Sequence, residues 1–499
     1  MTDILFGQSY FLKFDPKLYA AMMPYPPLGT LFAASWMREA GYNVALFDAM
    51  LAESEAAWAA ALAHHQPRYA VLFEDNFNYL SKMCLLNMRK AAFSMIQMAQ
   101  AHGIPVIICG ADATDHYACY LEAGADYVLR GEGEMTLREL LAALEAGQPQ
   151  AALEQIAGLA FRSAAGETRV TPPRPIIKQL DELPMPAWDL VDAPRYRAIW
   201  QERHGYYSVN MVTTRGCPYH CNWCAKPIWG QRYNVRSPEA IVAEMRWLRE
   251  HLQPDHIWFA DDIFGLKPGW VQRLAALLDQ EGWHLPFKCL SRADLLLEQD
   301  NIQALRRAGA QIIWIGAESG SQKILDAMDK GTQVAQIYHA TQQLKATGIA
   351  VGFFLQFGYP GETRADIQKT LAMVRDLLPD DIGISVSYPL PGTRFYERVR
   401  QDLDTKANWE DSADLAMLYQ GPFPTAFYRQ LHRVVHKDYR SRKTWHALRT
   451  GRLLPWQASN LRKLGAMLYH RLTLPLAQAR LDRLARGTHQ ATHLAPAES

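Results

Sequence analysis

Thr213-Thr214-Arg215-Gly216-Cys217-Pro218-Tyr219-His220-Cys221-Asn222-Trp223-Cys224 places three cysteines at spacings of four and three residues, close enough for one compact loop. Three thiolates on one loop can hold three corners of a [4Fe–4S] cube and leave the fourth iron open, whereas Fe–S electron-transfer sites ordinarily use four cysteines. An open iron is a place to bind a ligand and do chemistry. His220 lies between the cysteines, so a Cys3His zinc knot is the alternative, although zinc ribbons normally show two C-x2-C pairs or histidines at metal spacing.

Around this loop the chain alternates. Strand-like runs at Ser208–Val212, Ile257–Phe259, Phe287–Leu290, Ile312–Ile315, Gly352–Leu355 and Ile382–Val386 are separated by helical patterns, one of them opened by Ser237-Pro238-Glu239. Such alternation over residues 207–410 predicts a parallel barrel or partial barrel. Residues 1–147 alternate as well. Ile4–Phe6, Val44–Phe47, Tyr69–Phe73, Val106–Cys109 and Tyr127–Leu129 read as strands, with helical patterns at Leu28–Ala40, Glu53–Ala63, Tyr79–Ala101, Asp115–Glu122 and Glu134–Ala146. Short, wholly apolar strands between helices predict a doubly wound parallel sheet covered on both faces, with its ligand site at the carboxyl ends of the strands. Residues 148–206 read as a small hairpin (156–170) and an extended linker, given the prolines at 172, 173, 175, 184, 186 and 194. Residues 411–499 read as a basic helical region, with a disordered tail from Gly487 to Ser499. The fold class is therefore α/β.

The C-x3-C-x2-C pattern, with Trp223 just before the last cysteine, resembles the signature of the radical S-adenosylmethionine (radical SAM) enzymes. The resemblance implies that Cys217, Cys221 and Cys224 hold a [4Fe–4S] cluster whose open iron chelates S-adenosylmethionine, and that the cysteine loop follows the first strand of a partial (β/α)6 barrel. Further segments carry the likeness in order along successive strand ends: Phe259-Ala260-Asp261-Asp262-Ile263-Phe264, Ser291-Arg292-Ala293-Asp294, Gly316-Ala317-Glu318-Ser319-Gly320-Ser321, Gly358-Tyr359-Pro360-Gly361-Glu362-Thr363 and Tyr388-Pro389-Leu390-Pro391-Gly392-Thr393. From them the resemblance implies cofactor roles for Trp223 near the adenine, for Asp261 or Asp262 as a hydrogen-bond partner, for Glu318 and Ser319 near the ribose and methionine groups, and for Gly358 and Gly361. Arg292 suits the methionine carboxylate, since a guanidinium pairs with it bidentately; an ion pair with Asp294 is the plainer alternative. Catalytic acids or bases cannot be named from the sequence.

The first domain lacks G-x-G-x-x-G, which disfavours a dinucleotide. Its phrases Pro24-Tyr25-Pro26-Pro27-Leu28-Gly29, Gly110-Ala111-Asp112-Ala113-Thr114 and Ala123 to Glu134, placed ahead of this barrel, look like the cobalamin-binding domain of cobalamin-dependent radical SAM methylases and of the related anaerobic porphyrin-ester cyclases. The resemblance implies a cobalamin site at Pro27, Gly29, Gly110, Thr114, Gly131, Glu132 and Gly133. D-x-H-x-x-G is absent, and the loop Gly7–Asp15 has no histidine, so the corrin is expected to bind without a protein imidazole on cobalt.

Composition bounds the rest. A net charge of +1 over 499 residues argues against general nucleic-acid binding. There is no run of 18 apolar residues and no basic, then apolar, leader. Seven cysteines, with Cys84, Cys109, Cys119 and Cys289 scattered, are not a disulfide framework; the expected compartment is the cytoplasm. Residues 428–486 carry 14 Lys or Arg against two acids, Asp438 and Asp482. That charge suits a solvated helical subdomain, an anionic partner, or peripheral contact with the inner face of a membrane.

The expected function is a cobalamin-dependent radical SAM enzyme that methylates an unactivated carbon of a small molecule, hydrophobic or anionic, with an external electron donor such as ferredoxin or flavodoxin. The same machinery used for oxidative cyclisation is the alternative, and a corrin or Fe–S sensor is the non-enzymatic one.

Overall fold

The computed structural model of the chain describes residues 2–83, 85–224, 228–451, 453 and 458–491. Five short strands, β1 (Ile4–Gly7), β2 (Val44–Leu46), β3 (Tyr69–Phe73), β4 (Val106–Cys109) and β5 (Tyr127–Leu129), pair in parallel in the order β2-β1-β3-β4-β5. Apart from the edge strand β2 and Tyr127, every residue in them is buried, as a sheet sandwiched between helices requires.

Two expected helices divide. Tyr79–Ala101 becomes Tyr79–Met83 and Leu86–Ala101, with Leu85 extended between them; Cys84 lies outside the described residues. The stretch expected as Asp115–Glu122 becomes Ala111–Asp115 and Tyr117–Glu122, parted by the non-helical His116. The hairpin forms as β6 (Leu159–Arg162) and β7 (Thr168–Val170). It continues the first sheet: β6 pairs antiparallel with β5. The proline-rich stretch departs from the extended chain expected of it. Ala193–His204 is a helix, because Pro194 falls in the first turn, where no N–H is needed, and the Asp192 carboxylate caps the Arg195 amide.

The second sheet opens with β8 (Ser208–Met211). A two-residue pair, β9 (Thr214–Arg215) and β10 (Asn234–Val235), holds the start of the cysteine loop. Then come β11 (His256–Phe259), β12 (Phe287–Ser291), β13 (Ala310–Glu318), β14 (Ala350–Phe357) and β15 (Asp381–Val386). Six parallel strands in the order β15-β14-β13-β12-β11-β8 make the expected open (β/α)6 half-barrel. Two long helices close the chain, Thr425–Arg449 and Ala458–Ala491. The second keeps Gly487–Ala491 helical, where a disordered tail was expected; residues 492–499 lie outside the described residues. No helix among the described residues is long and apolar enough to cross a membrane.

The carboxyl ends of the two sheets face each other. Asn210 of β8 donates from Nδ2 to the Pro26 carbonyl at 3.0 Å. Phe77, after β3, stacks on Trp229 with ring centroids 5.0 Å apart. Lys82 pairs with Asp262, and Tyr79 hydrogen-bonds Tyr388. Leu28, Phe32 and Phe77 of the first domain share one apolar core with Ile228, Phe259 and Phe264 of the barrel, so the interface is built like an interior.

Candidate functional site

The three cysteines sit, half-buried, on the loop that follows β8. Their loop is tied down at its start and at Asn222. At its start, the Asp261 carboxylate accepts from the amides of Thr213 and Thr214, both 2.8 Å, and from both threonine hydroxyls. Burial lifts the Asp261 carboxyl to about 6. Gly216 takes φ +81°, and a Cβ there would meet the Arg232 carbonyl oxygen at 2.3 Å, so only glycine fits. Within the loop, Asn222 is fixed by the Met328 carbonyl, the Ala327 carbonyl and the Tyr359 hydroxyl, at 3.0, 2.8 and 2.7 Å. Among the described residues no three His, Cys, Asp or Glu converge as a single-ion site would need. Thiolates around an iron–sulfur cube stand further apart than that.

Two buried cations lie within electrostatic reach of Cys221: Arg292 and Lys330. Arg292 covers the Tyr219 ring at 3.7 Å and pairs with Asp294 at 2.9 Å, while also donating to Thr332. The ion pair weighed above thus exists, but the arginine is only 4% exposed and stands over the cysteine loop. Lys330 pairs with Glu318 at 2.9 Å. Glu318 adopts φ +56° at a register shift in β13, a left-handed conformation costly for a residue with a side chain. Trp223 buries an indole N–H that has no protein partner.

Other expected residues are used by the protein itself. Asp261 spends its oxygens on the threonines, and Asp262 on Lys82 of the first domain, so both hold parts in place. Ser319 is wholly buried and bonds Thr370 and the Ser321 amide. Gly358, at φ +83°, donates its amide to Glu362 at 2.7 Å and packs on Met417 and Tyr428. Thr363, not the Glu362 before it, caps the helix Arg364–Leu377, in a box with Asp366. Burial raises Glu362 to about 8, and its Oε1 has no partner. Gly361, also left-handed at φ +81°, has open space where a Cβ would go.

The residues expected around cobalamin gather at the carboxyl ends of β1, β3, β4 and β5. Thr114 donates to the Gly110 carbonyl and accepts from the Gly131 amide at 2.9 Å. Pro27 is the N-cap of Leu28–Glu39. Three of the glycines answer to packing: a Cβ on Gly29 would press on Asn76 N at 3.2 Å, on Gly110 on Glu74 at 2.8 Å, and on Gly133 on Cys109 Sγ at 2.4 Å. A Cβ on Gly131 would meet only the Ile228 carbonyl oxygen, at 4.0 Å, but its φ of +81° favours glycine. Glu132 reaches across to Arg215, two residues before Cys217. Arg215 also pairs with Glu134 at 2.8 Å, lies over the rings of Phe32, Phe77 and Trp229, and is 3% exposed, like Glu132.

The same edge holds groups that no motif announced. Gln8, Tyr10 and Asn76 each bury a polar atom without a partner. Glu74 accepts from the Ser9 amide, and burial lifts it to about 7; Asp75 accepts from the Gly29 and Phe77 amides and rises to about 6. Between this edge and the barrel lies a cavity of about 160 Å³, lined among others by Lys82, Arg89, Asp115, His116, Tyr396 and Lys406. Lys330, Arg215, Glu134 and the Gln8–Tyr10 and Glu74–Asn76 segments were missed because a lone polar residue gives no spacing to read; only their places after β1, β3, β5, β8 and β13 carry a signal.

The chain has relatives. Residues 211–374 match the Radical SAM superfamily. An uncharacterized methyltransferase of Pyrococcus horikoshii is 32% identical over 287 residues, 57% of this chain and 60% of that protein. An anaerobic magnesium-protoporphyrin IX monomethyl ester cyclase of Rubrivivax gelatinosus is 25% identical over 280 residues, 55% of this chain and 49% of its own. A hopanoid C-3 methylase of Methylococcus capsulatus is 26% identical over 463 residues, 90% and 85%. The chain thus spans about half to three fifths of the length of the first two. Among solved structures, the radical S-adenosylmethionine methyltransferase TsrM of Kitasatospora setae, with cobalamin and a [4Fe–4S] cluster bound, has a TM-score of 0.65 at 17% identity, over 80% of this chain and 75% of its own; it shares the fold. A radical SAM domain implies a [4Fe–4S] cluster, S-adenosylmethionine, a small-molecule substrate and a source of electrons. Three cysteines on a pinned loop with cations beside Cys221 fit the first two.

Proposed function

Since the chain carries a radical SAM domain, we propose that it is a cobalamin-dependent radical SAM enzyme that methylates an unactivated carbon. One observation carries the reading: the carboxyl edge of a doubly wound sheet, rich in unpartnered buried polar atoms, is held directly against the carboxyl edge that bears the three cysteines. The proposed units are the first sheet with its hairpin (to residue 170), the linker, the half-barrel to about 410 and the helical C-terminal region. When bound, the cluster with S-adenosylmethionine supplies hydrogen-abstracting radical chemistry, and the corrin supplies the methyl group.

The chain's own residues prepare the site. Cys217, Cys221 and Cys224 ligate three irons. Arg292 and Lys330 offset the negative charge that gathers there, and Arg292 can turn its fork to a carboxylate. Trp223 offers its indole N–H. Gln8, Ser9, Tyr10 and Asn76 present neutral donors and acceptors, as the amide-rich rim of a corrin needs. The shared apolar core excludes water around the cleft. Ferredoxin or flavodoxin is the proposed reductant, and the basic C-terminal helices are the part suited to an anionic surface. Methylation is preferred to cyclisation because a relative matching over 90% of this chain is named a methylase; the cyclase relative keeps ring formation as the second reading.

The test is anaerobic reconstitution with iron, sulfide, S-adenosylmethionine and hydroxocobalamin, with a low-potential reductant. Expected are about four irons and one corrin per chain, 5′-deoxyadenosine formation, and mass shifts of one methyl group in a metabolite extract. The Cys217→Ala, Cys221→Ala, Cys224→Ala triple variant should lose the cluster and cleavage together. Retention of four irons by that variant would refute the ligand assignment; mass losses without methyl gain would favour cyclisation.

A further inference from the structure

The helix Ala458–Ala491 has two apolar faces. One is buried: Met467, Leu481 and Ala485 pack inward, and the helix is tied to Thr425–Arg449 by Gln430 donating to the Ala477 carbonyl at 2.8 Å and Lys437 to Thr473 at 2.6 Å. The other is open. Leu461, Leu468, Leu472 and Leu476 are 59, 56, 78 and 74% exposed, and Tyr469 is 58% exposed. Spacings of seven, four and four put the leucines on one face of the helix, and Gly465 between them has open space around it. Scattered exposed leucines are ordinary, but a continuous stripe is not.

The surroundings of the stripe select its occupant. Arg462, Lys463 and Arg471 flank it, and Arg480, Arg483 and Arg486 follow it, all exposed. Both acids of residues 428–486 are already engaged, Asp438 by Arg375 and Arg442, Asp482 by Arg364. The neighbouring helix adds Trp445, 48% exposed, beneath Arg471 at 5.3 Å, and Lys437 lies over Tyr469 at 4.9 Å. Leucines in a row, aromatic residues at their side with cations over the rings, and an uncompensated basic rim are what an anionic lipid–water interface accommodates, the apolar face entering the acyl boundary and the basic rim meeting headgroups. A nucleic acid would use the charge but not the leucines; a second copy of this chain would bring the same positive charge against itself.

We infer that the outer face of residues 461–476 docks the protein on the surface of an anionic bilayer. The docking needs none of the cofactors, so it stands or falls apart from the proposed chemistry.

The test uses the full chain with vesicles of phosphatidylcholine, with and without about a third of phosphatidylglycerol, by flotation. Expected is binding to the anionic vesicles at low salt, at least tenfold weaker at half-molar salt as screening shortens, and little binding to neutral ones. Leu468→Ser with Leu472→Ser and Leu476→Ser should cut binding at least tenfold at unchanged melting temperature, because these side chains already face solvent. Arg462→Glu with Arg471→Glu should do so at low salt only. No flotation at low salt overturns the proposal. So does serine-variant binding equal to the parent's, or a parent dimer that the serine variant turns into monomers without any change in lipid binding.

Discussion

The two edges that meet in the interdomain cleft differ in how their polar groups are satisfied. On the barrel edge the charges are paired, Arg292 with Asp294 and Lys330 with Glu318 within the barrel, and Asp262 with Lys82 of the first domain. On the edge of the first sheet the carboxylates of Glu74 and Asp75 rest on backbone amides, and the neutral groups of Gln8, Tyr10 and Asn76 keep buried atoms without partners. The barrel keeps some orphans too, at Trp223, Tyr233 and Gln356. A balanced ionic edge can hold its geometry before anything binds. An edge of desolvated, unpaired neutral groups bears a standing cost, since each such group forfeits its bond to water. The first holds a loop in place; under the proposed function the second is the side offered to a polar ligand.

The largest effect should come from the strut between them. Arg215 is buried between Glu132 and Glu134 and holds the first-domain edge to the cysteine loop. Arg215→Ala leaves two carboxylates buried without their cation, a loss of about 3–5 kcal/mol. Thermal unfolding of the apoprotein should show it. Restoring much of the melting temperature by Arg215→Met with Glu132→Gln and Glu134→Gln would identify charge as the cause. A single Arg215→Ala variant as stable as the parent would break the account of the interface.

Glu362 sharpens the contrast through pH. Its carboxyl is raised to about 8 by burial, so the folded state binds a proton that the unfolded chain releases near 4.5. Its stabilising contribution is complete below the unfolded value and is lost as pH rises through about 8. Glu74, raised to about 7, adds in the same direction. Glu362→Gln should therefore match the parent near pH 5 and exceed it by roughly 2–4 kcal/mol at pH 9. A constant difference across that range would assign Glu362 an ordinary carboxylate.

Arg292 tests the barrel edge as a cofactor site. Arg292→Ala should keep its iron content but bind S-adenosylmethionine more weakly by about 1.5–3 kcal/mol, the worth of a charged hydrogen bond. Calorimetry on the reconstituted protein reads it, and unchanged affinity would leave Arg292 as an anchor for Asp294 and Tyr219 alone.

Chemistry was more legible than packing. The cysteine spacing, the six strand ends and the two parallel sheets could be read because period and residue type are local properties. What Asp261, Ser319, Gly29, Gly110 and Gly133 do could not. Whether a carboxylate faces a ligand or two threonine amides 48 and 47 residues back, and whether a glycine spares a cofactor or the sulfur of Cys109, is decided by segments far apart in sequence. Two misses have a lesser, local reason: the non-helical backbone of His116 ends one helix before the expected Asp115–Glu122 can run on, and Pro194 in a first turn capped by Asp192 opens the helix Ala193–His204 where prolines suggested a linker.

The smallest effect discriminates best between the two edges. Gln8 lies just after β1 and is 1% exposed; its Oε1 accepts from the Tyr10 amide at 2.6 Å, while its Nε2 has no partner. If that amide is held for a ligand, Gln8→Met exchanges a buried, unpaired donor for an apolar group of similar length. The variant loses one hydrogen bond to Tyr10 N–H and relieves one desolvated amide, contributions of about 1 kcal/mol each and of opposite sign. Apoprotein stability should then move by less than about 1 kcal/mol, whereas corrin affinity, measured by retention of hydroxocobalamin, should fall by about 1 kcal/mol or more, roughly fivefold. A structural glutamine would give the reverse, a destabilised apoprotein with corrin affinity intact. Asn76, with its orphaned Oδ1 after β3, offers the same test on the adjacent strand. If both variants lower stability and neither lowers affinity, the unpaired atoms belong to the fold, and the first-sheet edge loses its claim to be the corrin site.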